Sequence, residues 1–328
     1  VDDAFTLTLA DDSFLDNAGR IDITADGDIV DGANAAGFTI GSRLFNSGTL
    51  ARSGTTGLLS VLSAEQASSS GTLELAGDLS LRGGLDLTGT ASVTGAGFLT
   101  VDTGGVLGVA GTATPSIDRL RLSTGSMQID GTLTVDQAWD WTANGSVTGS
   151  AGASMIVAAG ATGSIENSSF RSIGGPTDSG RFTVRNEGTL TWTAGQLDLD
   201  DGVDLVNAGT MNLNVAGTST LDLGAAGTLF PAFRNTGSLT SSGAGTFTVD
   251  VPYELGGSVS ITDGTLAFTR DGSVDAPVAI AAPGVVRFAG SANPPITHGW
   301  TANAAFSGDG LVRLVDGQVD VPTGVTVD

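Results

Sequence analysis

The feature that most restricts how this chain can fold is a seven-residue pattern, apolar–x–Asn–x–Gly–x–apolar, that occurs five times. It reads LDNAGRI at 15–21, LFNSGTL at 44–50, VRNEGTL at 184–190, LVNAGTM at 205–211 and FRNTGSL at 233–239. The residues concerned are Asn17, Gly19, Asn46, Gly48, Asn186, Gly188, Asn207, Gly209, Asn235 and Gly237. Successive asparagines lie 29, 140, 21 and 28 residues apart. The Gly-Thr-Leu portion returns without the asparagine at Gly71, Gly131, Gly227 and Gly264. Asn and Gly take left-handed backbone angles more readily than other residues, so the pattern reads as a turn. Asparagines at equivalent positions of stacked coils also form amide ladders. On this reading the Thr or Ser after the glycine points outward and the next apolar residue returns to the core.

Between the turns the hydropathy alternates in very short bursts. Examples are Phe5, Leu7 and Leu9, then Leu73 and Leu75, Leu79 and Leu81, Leu85 and Leu87. Period-two alternation predicts strands. A strand with two or three inward residues cannot bury a useful face alone, whereas stacking coil on coil lets each support its neighbours. The expected fold is therefore all-β, a right-handed parallel β-helix (β-solenoid) with coils of about 20 to 29 residues. A left-handed hexapeptide solenoid is the rival, but the six-residue steps at Leu73, Leu79 and Leu85 are not sustained. At ~4.8 Å per coil, some 13 to 15 coils would give a rod on the order of 65 Å. One short helix is expected at 62–69, LSAEQASS.

Composition agrees with a narrow aliphatic core. Hydrophobic residues make up 40% of the chain and aromatics only 5%, while glycine supplies 50 of 328 residues. The net charge is −22, and all 13 basic residues are arginine. Such a surface repels nucleic acid and anionic membranes, which excludes both as partners. Without cysteine there is no disulfide framework and no thiol chemistry. No apolar run is long enough to span a bilayer as a helix.

The pattern continues along the whole chain, so residues 1–328 are expected to form one continuous solenoid. It runs to the last residue without a polar cap, which suggests a segment of a longer protein or an end-stacking subunit. Residues 276–305 hold four of the nine prolines and are expected to form an irregular stretch within it. The runs VRNEGTLTW, LVNAGTMNLN and FRNTGSLTSSGAGTFTV resemble the β-strand repeats of large bacterial surface proteins, namely autotransporter passengers and filamentous-haemagglutinin-type adhesins. That resemblance implies secretion to the bacterial cell surface and a stalk, adhesin or filament role. It implies like subunits, neighbouring modules or a surface or glycan receptor as partners, and carries no catalytic residues.

No catalytic constellation stands out, and an enzyme is not expected. His298 is the only histidine; it lies in THGW near Pro294 and Pro295, reads as a loop residue, and has no nucleophile elbow with it. Polysaccharide-active β-helix enzymes remain the alternative, since hydrolases of that shape use paired carboxylates. The pairs Asp2–Asp3, Asp11–Asp12 and Asp200–Asp201 are expected by chance in so acidic a chain. Calcium is the one cofactor worth weighing, as the ligand of a stabilised spacer module. Asp198, Asp200, Asp201 and Asp204 crowd together in LDLDDGVD, with Asp26, Asp28 and Asp31 as a thinner group. The alternation places Trp139, Trp141 and Trp192 inward rather than on a sugar-stacking face. Outward pairs such as Thr6–Thr8 and Thr189–Thr191 raise an ice-binding face, but the threonine positions do not repeat at a fixed coil spacing, which argues against a regular hydroxyl lattice.

Overall fold

A computed structural model describes residues 6–9, 13–23, 28–31, 42–53, 60–62, 66–167, 169–177, 180–225, 227–291, 294–323 and 326–327. Among the described residues the fold is all-β, with no helix, and the strands pair in parallel as a β-solenoid. Two compact units divide the chain, residues 1–157 and 158–328.

In the first unit each coil contributes strands to three columns. An asparagine column stacks Phe14–Asn17, Arg43–Asn46, Gln66–Ser69, Gly84–Leu87 and their successors. A second column stacks Arg20–Ile23, Thr49–Arg52, Thr72–Leu75 and Ser92–Thr94. The third includes Leu79–Leu81 and Leu99–Val101. Two long strands, Ser116–Leu122 and Thr132–Trp141, run round the corner between the second and third columns, and the register shifts there between Ile117 and Arg119. Coil length at the asparagine column ranges from 29 residues (Phe14 to Arg43) to 18 (Ala67 to Leu85).

The second unit also has three columns. One runs from Phe170–Gly174 through Gly195–Leu199, Thr218–Leu223 and Thr246–Asp250. Next in each coil comes an asparagine column, Phe182–Asn186, Val203–Asn207, Ala232–Asn235 and Tyr253–Leu255. The third column stacks Thr162–Ile165, Thr189–Trp192, Thr210–Leu213, Ser238–Ser241 and Ser258–Ile261.

Inward residues stack on their own kind, which is why the core needs few aromatics. Leu85, Leu107, Met127 and Val147 form one such line, and Leu190, Met211, Leu239, Val259 and Val278 another. All are buried. Each side chain stabilises the stack by about 1.5–3 kcal/mol through burial.

Three sequence expectations change. The helix at 62–69 does not form: Leu62 ends the strand Ser60–Leu62, and Gln66–Ser69 is a strand whose Ala67 and Ser69 face inward. Residues 63–65 lie outside the described residues. Pairing on both sides, to Arg43–Asn46 and to Gly84–Leu87, outweighs the local helix propensity. The described residues of 276–305 do not form an irregular stretch. They carry the strands Pro277–Ile280, Val285–Ala289 and Thr297–Trp300, all in register with neighbouring coils. Pro277 opens its strand, where the missing N–H is tolerated. His298 is not a loop residue but a fully buried strand residue.

Candidate functional site

The repeated motif builds a buried ladder in each unit. In the first, Asn17 Nδ2 donates to Asn46 Oδ1 at 2.7 Å, and Asn46 Nδ2 donates to Ser69 Oγ at 2.9 Å. In the second, Asn186 Nδ2 donates to Asn207 Oδ1 at 2.8 Å, and Asn207 Nδ2 to Asn235 Oδ1 at 2.7 Å. Each amide makes its second donation to a backbone carbonyl of the next coil, as Asn207 does to Ser238 O at 2.9 Å. These amides are almost completely buried, so the ladder satisfies groups that would otherwise be costly.

The glycines serve a different end from the one the sequence suggested. None of the motif asparagines or glycines has a positive φ. A Cβ on Gly209 would lie 2.2 Å from Gly188 O, and one on Gly237 would lie 2.1 Å from Gly209 O. Glycine is required because stacked backbones touch at this corner. The motif is therefore a coil-to-coil clamp rather than a left-handed turn.

The aspartates of LDLDDGVD do not converge on one point. Asp198 accepts from Gln196 Nε2 at 2.7 Å, Asp200 from Ala225 N at 2.7 Å, and Asp204 from Arg181 Nη1 at 2.7 Å. Asp201 is 3% exposed, and neither of its carboxylate oxygens has a hydrogen-bond partner among the described residues. Among the described residues no three His, Cys, Asp or Glu side chains are grouped as a metal site. Asp26 lies outside the described residues; Asp28 and Asp31 end one strand.

A signal that only the register reveals is an acidic row. Asp198, Asp222 and Asp250 occupy the same outward position in three successive coils. Gln196 Nε2 bridges Asp198 and Asp222, at 2.7 and 3.0 Å. Arg270 grips Asp250 through Nε at 3.0 Å and Nη2 at 3.1 Å. Burial and then the charge of Asp250 push the Asp222 carboxyl above its ordinary value. The exposed Phe170 and a shallow groove lined by Gly195, Gln196 and Thr220 lie at one end of this column.

Trp139, Trp141 and Trp192 are buried, as the alternation required. His298 joins an internal aromatic cluster with Tyr253, Phe288 and Trp300. Its Nε2 lies 3.2 Å from Ala289 O, and a carbonyl can only accept, so Nε2 carries the proton. Nδ1 then accepts from Tyr253 Oη at 2.8 Å. Burial lowers the His298 pKa. Arg171, also buried, is pushed down to about 10 by desolvation and donates to Ser169 O at 3.2 Å and Asn167 O at 3.3 Å.

The hydroxyl-bearing residues depart most from the sequence reading. In the third column of the second unit, Thr162, Thr189, Thr210, Ser238 and Ser258 form one outward row. Ser164, Thr191, Asn212, Thr240 and Ser260 form a second row two residues along. Their intervals in sequence are unequal, yet no register shift interrupts the stack. Turns of unequal length absorb the differences, and the Asn–x–Gly clamp just before Thr189, Thr210 and Ser238 resets each strand.

A scan against protein-family models, a search of curated proteins and a search of solved structures each found no match to this chain.

Proposed function

We propose that this chain is a non-catalytic solenoid of secreted or cell-surface proteins, serving as a stalk, adhesin or extracellular filament subunit. The observation that supports this best is where its polar side chains are spent. The amides of the repeated motif tie coil to coil, and the outward positions form extended rows instead of converging on a pocket. That is the economy of a scaffold that presents surfaces. The likeness of VRNEGTLTW and its relatives to autotransporter passengers and filamentous-haemagglutinin-type adhesins points the same way. Like copies, neighbouring modules, or a surface or glycan receptor are the partners this reading calls for.

Electron microscopy of the purified chain, together with sedimentation against bacterial surfaces and insoluble glycans, tests it. Assembly into rods or filaments, or retention on a surface, is the expected result. A chain that stays monomeric and is retained by nothing would sink the reading.

The acidic row favours one second reading, a polysaccharide-active enzyme. Carboxylates one coil apart are spaced by ~4.8 Å, near the ~5 Å of retaining glycoside hydrolases. Asp222, with its raised pKa, would be the acid and Asp250, held by Arg270, the second carboxyl group. Release of soluble sugar from a polysaccharide panel, lost in Asp222→Asn, would establish it; no release from any member would dismiss it.

A further inference from the structure

The paired rows of hydroxyls in the second unit define a surface with an unusual combination of properties. The ten positions, Thr162 to Ser258 and Ser164 to Ser260, are all Thr, Ser or Asn. All are exposed or half-exposed. Within the second unit no described outward position of this column is charged, since Pro277, Ala279, Ala305 and Ser307 continue it. The chain as a whole carries −22. The two neighbouring columns show the contrast. One presents Asp198, Asp222 and Asp250, and the other presents Arg185, Arg234, Asp204 and Glu254, with Arg234 paired to both Asp204 and Glu254. Charge has been kept off one face only.

The same motif does not always give this result. In the first unit the residues after Asn17-Ala-Gly19 are Arg20, Ile21 and Asp22, and Arg20 pairs with Glu74 two coils on, at 2.7 Å. The neutral rows are therefore a property of one face, not a by-product of the clamp.

The face is also periodic and well backed. Adjacent coils repeat at ~4.8 Å, and outward residues two apart on a strand repeat at about 6.6 Å. Leu190, Met211, Leu239 and Val259 lie buried between the two rows and hold them from behind. Behind the second row lie Trp192, Leu213 and Ile261. Close backbone contact at Gly188, Gly209, Gly237 and Gly257 leaves little room for coils to slide.

These properties select among occupants. A protein partner would be expected to find apolar anchors, but the large exposed hydrophobics, such as Phe170, Phe230 and Leu311, lie elsewhere. A sugar surface would be expected to find aromatic platforms, and the ten row positions include no aromatic residue. A neutral two-dimensional array of short hydroxyls, with threonine methyl groups between them, matches a partner that is itself a lattice of neutral hydrogen-bonding groups. Both repeats are on the scale of the spacings between hydrogen-bonded water molecules in an ice surface. We propose that this face binds ice. The inference rests on the surface-presenting role proposed above and names the surface.

Ice-affinity partitioning tests it: the purified chain is offered to a slowly growing ice front beside a non-binding control protein. Enrichment in the ice several-fold over the control is expected, with shaping of single ice crystals. The double substitution Thr191→Lys with Thr240→Lys should reduce enrichment to the control level while leaving the melting temperature within a few degrees. Thr183→Lys adds a charge at an outward position of the neighbouring column and should leave enrichment unchanged. Exclusion of the native chain from ice overturns the proposal, as does undiminished enrichment of the double variant. A chain excluded from ice but retained on chitin or cellulose, or assembled into filaments, overturns the ice proposal and leaves the scaffold reading standing. A monomer retained by neither removes both.

Discussion

Asn207 and Asn235 are 28 residues apart in sequence, yet Asn207 Nδ2 donates to Asn235 Oδ1 at 2.7 Å inside the protein. Asn207 also donates to Ser238 O and accepts from Asn186, so it has partners in the coils on both sides. Asn207→Ala therefore strands a buried donor on Asn186 and a buried acceptor on Asn235. Each stranded group costs about 1–3 kcal/mol. Asn186 sits at the start of this ladder, where its Oδ1 accepts nothing from the described residues, so Asn186→Ala strands less. Hydrogen exchange across 184–240 checks this, with a larger loss of protection expected in Asn207→Ala than in Asn186→Ala. Equal losses would mean that the ladder does not act as a chain of bonds.

The glycine at the same corner makes a sharper test. Gly209→Ala places a methyl group 2.2 Å from Gly188 O, a backbone atom that cannot swing aside. Gly217→Ala meets nothing within 4 Å and has an ordinary φ. A loss of at least ~2 kcal/mol is expected for the first, typical of overpacking, and a small gain or no change for the second. Urea unfolding followed by circular dichroism separates them. Equal effects would return the motif to being a flexible turn.

These two residues also show what a sequence can and cannot reveal here. Solenoid, short strands, inward tryptophans and outward threonines could all be read from local alternation, because a strand sorts its side chains with period two. The expectation of a left-handed turn failed because Gly209 is required by a neighbour 21 residues away, at Gly188, and not by its own φ. The hydroxyl rows and the Asp198–Asp222–Asp250 row were missed for the same reason. Unequal coil lengths hide both from any fixed-interval reading, and only the register aligns them. His298 misled because its neighbouring prolines read as loop, while Thr297–Trp300 pairs as a strand on both sides.

His298 gives the protein a pH dependence of definite sign. Burial holds its folded-state pKa below the ordinary histidine value. In the unfolded chain it takes up a proton near ~6.5. Between those values the unfolded state binds more protons, so stability falls as the pH drops through this window. Protonation of Nδ1 removes the acceptor to which Tyr253 donates, so the Tyr253 hydroxyl has to turn its hydrogen away from the ring. Unfolding free energies at pH about 8, 7, 6 and 5 should decline for the native chain. His298→Gln should be flatter over the same range, though less stable throughout. A native profile that is level across this window would contradict the neutral buried imidazole.

Calcium can be tested directly on the LDLDDGVD aspartates. Asp198, Asp200 and Asp204 each already accept a hydrogen bond from the protein. Asp201 is buried with no hydrogen-bond partner for its side chain among the described residues, and a buried polar group left without a partner destabilises a fold. Equal melting temperatures with calcium and with chelator are expected, together with a higher melting temperature for Asp201→Asn. A calcium-dependent rise that disappears in Asp201→Asn would instead make Asp201 a ligand.

Asp222 should act in the opposite sense to His298. Its carboxyl is raised above the ordinary value of 3.8, first by burial and then by Asp250. The folded state therefore binds this proton more tightly than the unfolded state does. Its contribution to stability is present below the ordinary value and is lost as the pH rises through the raised one. At neutral pH the ionised Asp222 faces Asp250, which Arg270 holds, and Asp198 on the other side. Asp222→Asn removes this repulsion, and the Asn Oδ1 can still accept from Gln196. A higher melting temperature at pH about 7 is expected, shrinking towards zero as the pH falls below about 4, where an ordinary carboxyl is protonated. Destabilisation by Asp222→Asn at neutral pH would show that the carboxylate is a favourable member of the row.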